Sequence, residues 1–509
     1  MSGNSAIIWA LSQSTSRYRE KTCASWASGQ EKMNHRLTLA LLLTIIGIHV
    51  VLSALIAAVT PYRTSGILLS QRGADGQPQV AKDIGAPDER QHANYITHLL
   101  KTGTFPIFKP GDPDLYESYQ SHQPPAYYLI ASGWCILTGA QDLEQPANGL
   151  KLRALNVLIG SATVAGLFFL GYWGLRNERV GLCAAAVGAT LPMNIALSGA
   201  VSNDPLLICL CTWTLALCGL AIDQGWNLKR SLTVAALVGL GLLTKTTALA
   251  LVPAVLVAIW MTYSMRPSLK VALLAAGTVL LIVLPWWARN MSLYHDPLAL
   301  KAFGDAFKGS AQKSTIIGVI QATSPDSNPE ITYWLNWIGW WTGRSLLGAF
   351  GYMDIWINET GLPGGSAPNA IYRLFFAGIF VCLLGWVLSL KDKDRPHHRS
   401  MQVTNACFLV VIALLFVRFN SQYFQAQARY LLPALGPISI GIAIGLDHLT
   451  KKRVWISLPI VLCTLGLISV YVWTRLPDEF AKRSTGLVSR AQVSKHLLGF
   501  VTPTSSKAS

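Results

Sequence analysis

The chain has 509 residues, 51% hydrophobic and 13% charged, where a soluble domain carries roughly twice that charged fraction. Its net charge of +16 lies largely in short Lys/Arg loops between apolar runs, as the positive-inside rule and anionic head groups require. No basic stretch is interleaved with aromatics as in a single-strand binder, so nucleic acid is excluded as a partner.

Residues 1–32 are polar, Ser-rich and unpatterned, and read with 33–36 as a disordered cytoplasmic segment. "MNHRLTLALLLTIIGIHVVLSALIAAV" looks like a fresh start, which makes Met33 an alternative initiator. The long apolar run without a small-residue cleavage signal reads as an uncleaved anchor. Eleven spans are predicted, at about 37–59, 152–173, 180–198, 205–222, 231–244, 246–263, 271–287, 371–390, 403–419, 430–447 and 455–474. This is an all-α polytopic membrane protein; the short alternating segments of a β-barrel are absent.

The basic loops "LRNERVG", "NLKR", "SMRPSLK", "KDKDRPHHR" and "TKKR" share one face if the N-terminus is cytoplasmic. The same alternation puts 60–151, 199–204, 288–370 and the tail 475–509 outside, leaving 37–474 as one integral membrane domain. A full span at "PPAYYLIASGWCILTGA" (124–140) would reverse every later loop, so it is expected to dip into the outer leaflet; a true short span is the alternative. Seven of the nine cysteines sit in apolar runs, as small hydrophobes do. Neither a disulfide framework nor a metal site follows from their spacing.

The chemistry gathers in the loops. "GAPDERQHANYITHLLKTG" places Asp88 and Glu89 after a proline and before an amphipathic helix expected to lie along the membrane surface. Asp88 is either a simple N-cap or a functional carboxylate. Further along stand His122 and Gln123 in "SHQPPAYYL", Asp204 in "SNDPL", Lys245 in "LLTKTTALALVP", and Arg289, Arg344 and Arg429. Ionisable groups at membrane depth are costly and point to function. For each Arg, interfacial snorkelling competes with phosphate binding. The Trp-rich run "YWLNWIGWWTGRSLLGAFGYMDIW" reads as an interfacial anchor or as the wall of a lipid-facing cavity.

In this order, "PDERQHANYITHLLKTGTFP", "SHQPPAYYL", "SNDPL", "LLTKTTALALVP" and "QARYLLPALGP" resemble the C-type (GT-C fold) membrane glycosyltransferases. That group includes the protein O-mannosyltransferases and the lipid A aminoarabinose transferases. The likeness is strongest to uncharacterised bacterial relatives that share "RSLLGAFGYMDIW". The resemblance implies a GT-C-like bundle of about eleven spans with a dipping helix and external amphipathic helices. It implies a bacterial inner-membrane enzyme with a polyprenyl-phosphate sugar donor, an external site and an inverting reaction. Asp88 would be the general base, with Glu89 completing the acidic pair. Lys245 would contact the donor phosphate, Arg429 would assist, and Asp204 matches the second acidic position. Gln123 stands where relatives carry Lys or His, leaving His122 as a substitute. Some relatives bind a divalent cation; no cofactor is required by these residues. The acceptor, whether glycan, lipid or protein, is not identified.

Three other readings compete. A lipid-linked sugar binder or flippase of the same fold needs phosphate-binding cations but no base. A secondary transporter predicts inverted repeats and ionisable groups at the midplane, and neither is present. A structural scaffold leaves the clustered carboxylates without a purpose.

Overall fold

The computed structural model describes residues 33–72, 78–263, 265–306, 308, 311–357, 369–389 and 396–484. The unpatterned residues 1–32, most of the "KDKDRPHHR" loop, the "NETGLPGG" stretch and the tail from 485 lie outside the described residues. By contacts, residues 1–41 form one unit and 42–509 the other.

Helices stand at all eleven expected spans. Among the described residues, eight are long and apolar enough to cross a membrane: His35–Val59, Pro146–Gly174, Asp204–Gln224, Ser268–Tyr294, Ala370–Ser389, His398–Asn420, Leu432–Leu449 and Val454–Arg483. The pair Glu178–Thr190 and Pro192–Ser198, bent by 65°, makes a ninth when the two are counted as one span. Pro192 has no amide hydrogen to continue the ladder and restricts the residue before it. The remaining two are shorter than a span, Leu228–Leu242 and Thr246–Trp260. They are separated where Lys245 adopts an extended backbone, φ −161° and ψ 139°. The last helix continues to Arg483, beyond the expected end at 474.

The segment expected to dip forms a helix of 13 residues, Ala126–Thr138. At ~1.5 Å per residue it is too short for the ~30 Å hydrocarbon core. The amphipathic helix forms as expected, Glu89–Thr102, ending at Gly103 in the left-handed region, φ 66°. Its apolar face packs on protein. Ala93, Tyr95 and Ile96 are buried with Tyr127, Tyr128 and Ala131 of the short helix, and Tyr95 stacks on Tyr128 with ring centroids 3.7 Å apart.

Strand is confined to two small antiparallel hairpins among the described residues, Gly66–Arg72 with Pro78–Ala81 and Ala349–Phe350 with Ile355–Trp356. Helices Ala370–Ser389 and Leu435–Leu449 approach through glycine. A Cβ on Gly445 would collide with the Cys382 carbonyl, and one on Gly385 would sit 2.7 Å from the Gly445 oxygen.

Candidate active site

Breaks at helix ends build one cavity of about 670 Å³. Asp88 enters it from the N-terminus of the Glu89–Thr102 helix, and Asp204 from the first residue of the Asp204–Gln224 helix. Lys245 comes from the break after Leu228–Leu242, and Arg429 from the short turn Ala428–Tyr430. His122 and Gln123 line it just ahead of the short apolar helix. Its apolar flank includes Leu298, Leu300, Phe303, Leu415, Phe416 and Phe419.

Two ion pairs face the interior. Arg429 Nη2 donates to Asp88 Oδ2 at 2.8 Å. Lys245 Nζ donates to Asp204 Oδ1 at 2.6 Å. The two cations share one aromatic ring: Lys245 Nζ lies 5.7 Å and Arg429 Cζ 5.3 Å from the Tyr430 centroid, the arrangement of a cation–π contact. Burial opposes the charge on Arg429, but Tyr430, Asp88 and Asp204 outweigh it and hold its pKa above the ordinary value.

Asp88 occupies the N-cap position yet does not cap; no helix amide donates to its side chain. Its backbone is left-handed, φ 62°, a region that Asp tolerates better than most residues. Glu89 points elsewhere. Its carboxylate accepts from Arg153 Nε at 2.8 Å and Nη2 at 2.6 Å, and from the Val201 amide at 2.8 Å. Glu89 therefore does not line the cavity.

His122 and Gln123 belong to a hydrogen-bonded chain. His122 Nδ1 meets the Tyr119 carbonyl oxygen at 2.7 Å, Gln123 Nε2 meets His122 Nε2 at 3.0 Å, and Asn203 Nδ2 donates to Gln123 Oε1 at 3.2 Å. Arg289 and Arg344 lie outside the cavity lining. Arg289 donates to the Pro106 carbonyl at 2.8 Å and stacks 4.6 Å from the Trp286 centroid. Arg344 is buried against Trp340, 4.0 Å from its ring centroid. The Trp-rich run does supply cavity wall, through Tyr352 and Met353.

Several further residues line the cavity, among them Gln91, His92, Tyr119, Tyr352 and Gln427. Gln91 and His92 stand three and four residues after Asp88, the helical spacing that places side chains on one face. His92 is 3% exposed and its Nδ1 lies 2.8 Å from the Tyr128 hydroxyl. Burial pushes its imidazole down to about 4, against Asp88 and Asp204, which pull it up. Among the described residues no three His, Cys, Asp or Glu side chains converge as a metal site.

The dolichyl-phosphate-mannose-protein mannosyltransferase family matches the chain over residues 131–294, less than half its length. No curated protein matches the sequence. Among solved structures, the Archaeoglobus fulgidus oligosaccharyltransferase AglB, in complex with an inhibitory peptide and a dolichol-phosphate, is 15% identical with a TM-score of 0.51. That match covers 91% of this chain and 58% of AglB, so the chain spans less than two thirds of that relative's length. ArnT from Cupriavidus metallidurans, bound to undecaprenyl phosphate, is 16% identical with a TM-score of 0.50, over 90% of this chain and 68% of ArnT. Apolar helices, family match and shared architecture define the class: a multi-pass membrane protein of the GT-C glycosyltransferase fold. Within that class it is similar to the protein mannosyltransferases and to ArnT.

Proposed function

We propose that this protein is a membrane glycosyltransferase that moves a sugar from a polyprenyl-phosphate carrier to an acceptor hydroxyl. The observation that carries the reading is the single cavity in which Asp88, Asp204, Lys245 and Arg429 converge beside an apolar flank. A carboxylate at that wall can take a hydroxyl proton. Two cations beside it can hold a phosphate and stabilise the charge that gathers on it as it leaves. The apolar flank suits the start of a prenyl chain.

In this reading Asp88 accepts the acceptor proton while the acceptor oxygen bonds to the anomeric carbon. The bond from that carbon to the phosphate oxygen breaks, and its electron pair leaves with the phosphate. Attack opposite the leaving group inverts the anomeric configuration. Glu89 acts through Arg153 as a positioning residue. The site faces the outside of a bacterial inner membrane, with the N-terminus in the cytoplasm, as the basic loops favour.

The test supplies purified protein in lipid discs with polyprenyl-phosphate sugars and envelope acceptors, and measures released polyprenyl phosphate. Wild type releases it and Asp88→Asn does not, with folding unchanged. Equal release by both would remove Asp88 as the base. Saturable donor binding without release by wild type would favour a binder or flippase of the same fold.

A further inference from the structure

Asp88 and Arg429 each have a second task to perform in the reaction, and the structure binds them to each other. Arg429 Nη2 is 2.8 Å from Asp88 Oδ2, and this is the one side-chain bond to the Asp88 carboxylate among the described residues. Arg429 is 9% exposed, and its Nε is buried without a hydrogen-bond partner among the described residues. A buried guanidinium donor left unsatisfied marks a group built to meet a further acceptor. The charge-assisted bond occupies Asp88 Oδ2 and fixes the direction in which the carboxylate points.

We propose that Arg429 is a phosphate-operated mask on Asp88: it pairs with the carboxylate in the empty site, and an incoming donor phosphate takes the guanidinium and releases Asp88 to accept the acceptor proton. This rests on the transferase reading and adds an order to it. The donor binds first, and the base comes into being with it. Lys245 need not change partner, since its carboxylate, Asp204, is not the base. After transfer, departure of the polyprenyl phosphate returns Arg429 to Asp88. Asp88 hands the proton it gained to water as the guanidinium returns. The enzyme thereby avoids a free carboxylate base facing a hydroxyl when no donor is present.

The measurement is equilibrium binding of a polyprenyl monophosphate to protein in lipid discs, with the uncharged polyprenol as control. If Asp88 competes for Arg429, Asp88→Asn binds the phosphate about tenfold tighter than wild type, one hydrogen-bonded ion pair's worth of affinity. Arg429→Gln binds it more weakly, and Asp88→Asn added to Arg429→Gln gains nothing further. A gain that persists in the Arg429→Gln background is general charge repulsion and overturns the mask; so does the absence of any gain. Should Arg429→Gln fail to fold, difference infrared spectra of wild type decide. Adding the phosphate shifts the carboxylate band that Asp88→Asn removes, and an unmoved band overturns the proposal. Failure of the underlying reading looks different: Asp88→Asn would bind tighter yet still transfer sugar.

Discussion

Glu89 and Arg153 form a two-pronged ion pair in the protein interior, with side chains 4% and 3% exposed. Arg153 also donates to the carbonyls of Ala57 and Thr60 at 2.7 Å and of Pro61 at 3.1 Å. One guanidinium thus ties the end of the first span to the residue beside Asp88. Removing one partner of such a pair leaves an uncompensated buried charge, a loss of about 3–5 kcal/mol. Arg153→Met and Glu89→Met are each expected to lower the thermal midpoint in detergent sharply. The double replacement should lose less than the two singles together, and a double-mutant cycle on the midpoint checks this.

Lys245 and Asp204 should separate donor affinity from proton transfer. Lys245→Ala is expected to weaken polyprenyl phosphate binding about tenfold or more. Lys245→Arg should recover part of it. Titration of the lipid phosphate into discs, beside the pH profile of transfer, distinguishes the two effects: the affinity moves and the position of the acidic limb does not.

His92 carries a pH signature. Its folded pKa of about 4 lies below the ordinary 6.5 because burial disfavours the imidazolium. Between those values the unfolded chain binds the proton and the folded chain does not. Stability from this group is therefore present above pH ~6.5 and is lost as pH falls toward ~4, by up to roughly 3 kcal/mol. His92→Gln should flatten that part of the curve of thermal midpoint against pH; an unchanged slope would reject the assignment.

Gly445 tests the packing that frames the bundle. A side chain there meets the Cys382 carbonyl, whereas Gly441, on the same helix, has nothing within 4 Å of an added Cβ. Gly445→Val should abolish the monodisperse peak on size exclusion, while Gly441→Ala should leave it unchanged.

The sequence pattern located the polar cavity residues better than it described their bonds. Asp204, Lys245 and Arg429 stand out because each interrupts or borders an apolar run, where a charge is expensive, and Asp88 because it opens an amphipathic helix after a proline. Whether such a charge faces a cavity or another side chain depends on partners far along the chain. Glu89 reads like Asp88 in sequence, yet its partner is 64 residues away within a predicted span. Arg289 and Arg344 carry the same outward signal as Arg429, a cation among aromatics, but they are engaged by Trp286 and Trp340. The helix spacing of Gln91 and His92 from Asp88 was legible. The contribution of Gln427 and Tyr352 was not, because tertiary contacts alone bring them to the wall.

The Asp88–Arg429 bond joins residues 341 positions apart. A nascent chain emerging from the ribosome holds its first carboxylate ready long before the matching guanidinium is made. Domains form as their segments emerge, so the helices through Gln224 can assemble while the cavity still lacks the wall that Arg429 and Tyr430 supply. The cavity is among the last parts of the protein to be completed, and a chain that stops before residue 429 cannot make the Asp88–Arg429 bond.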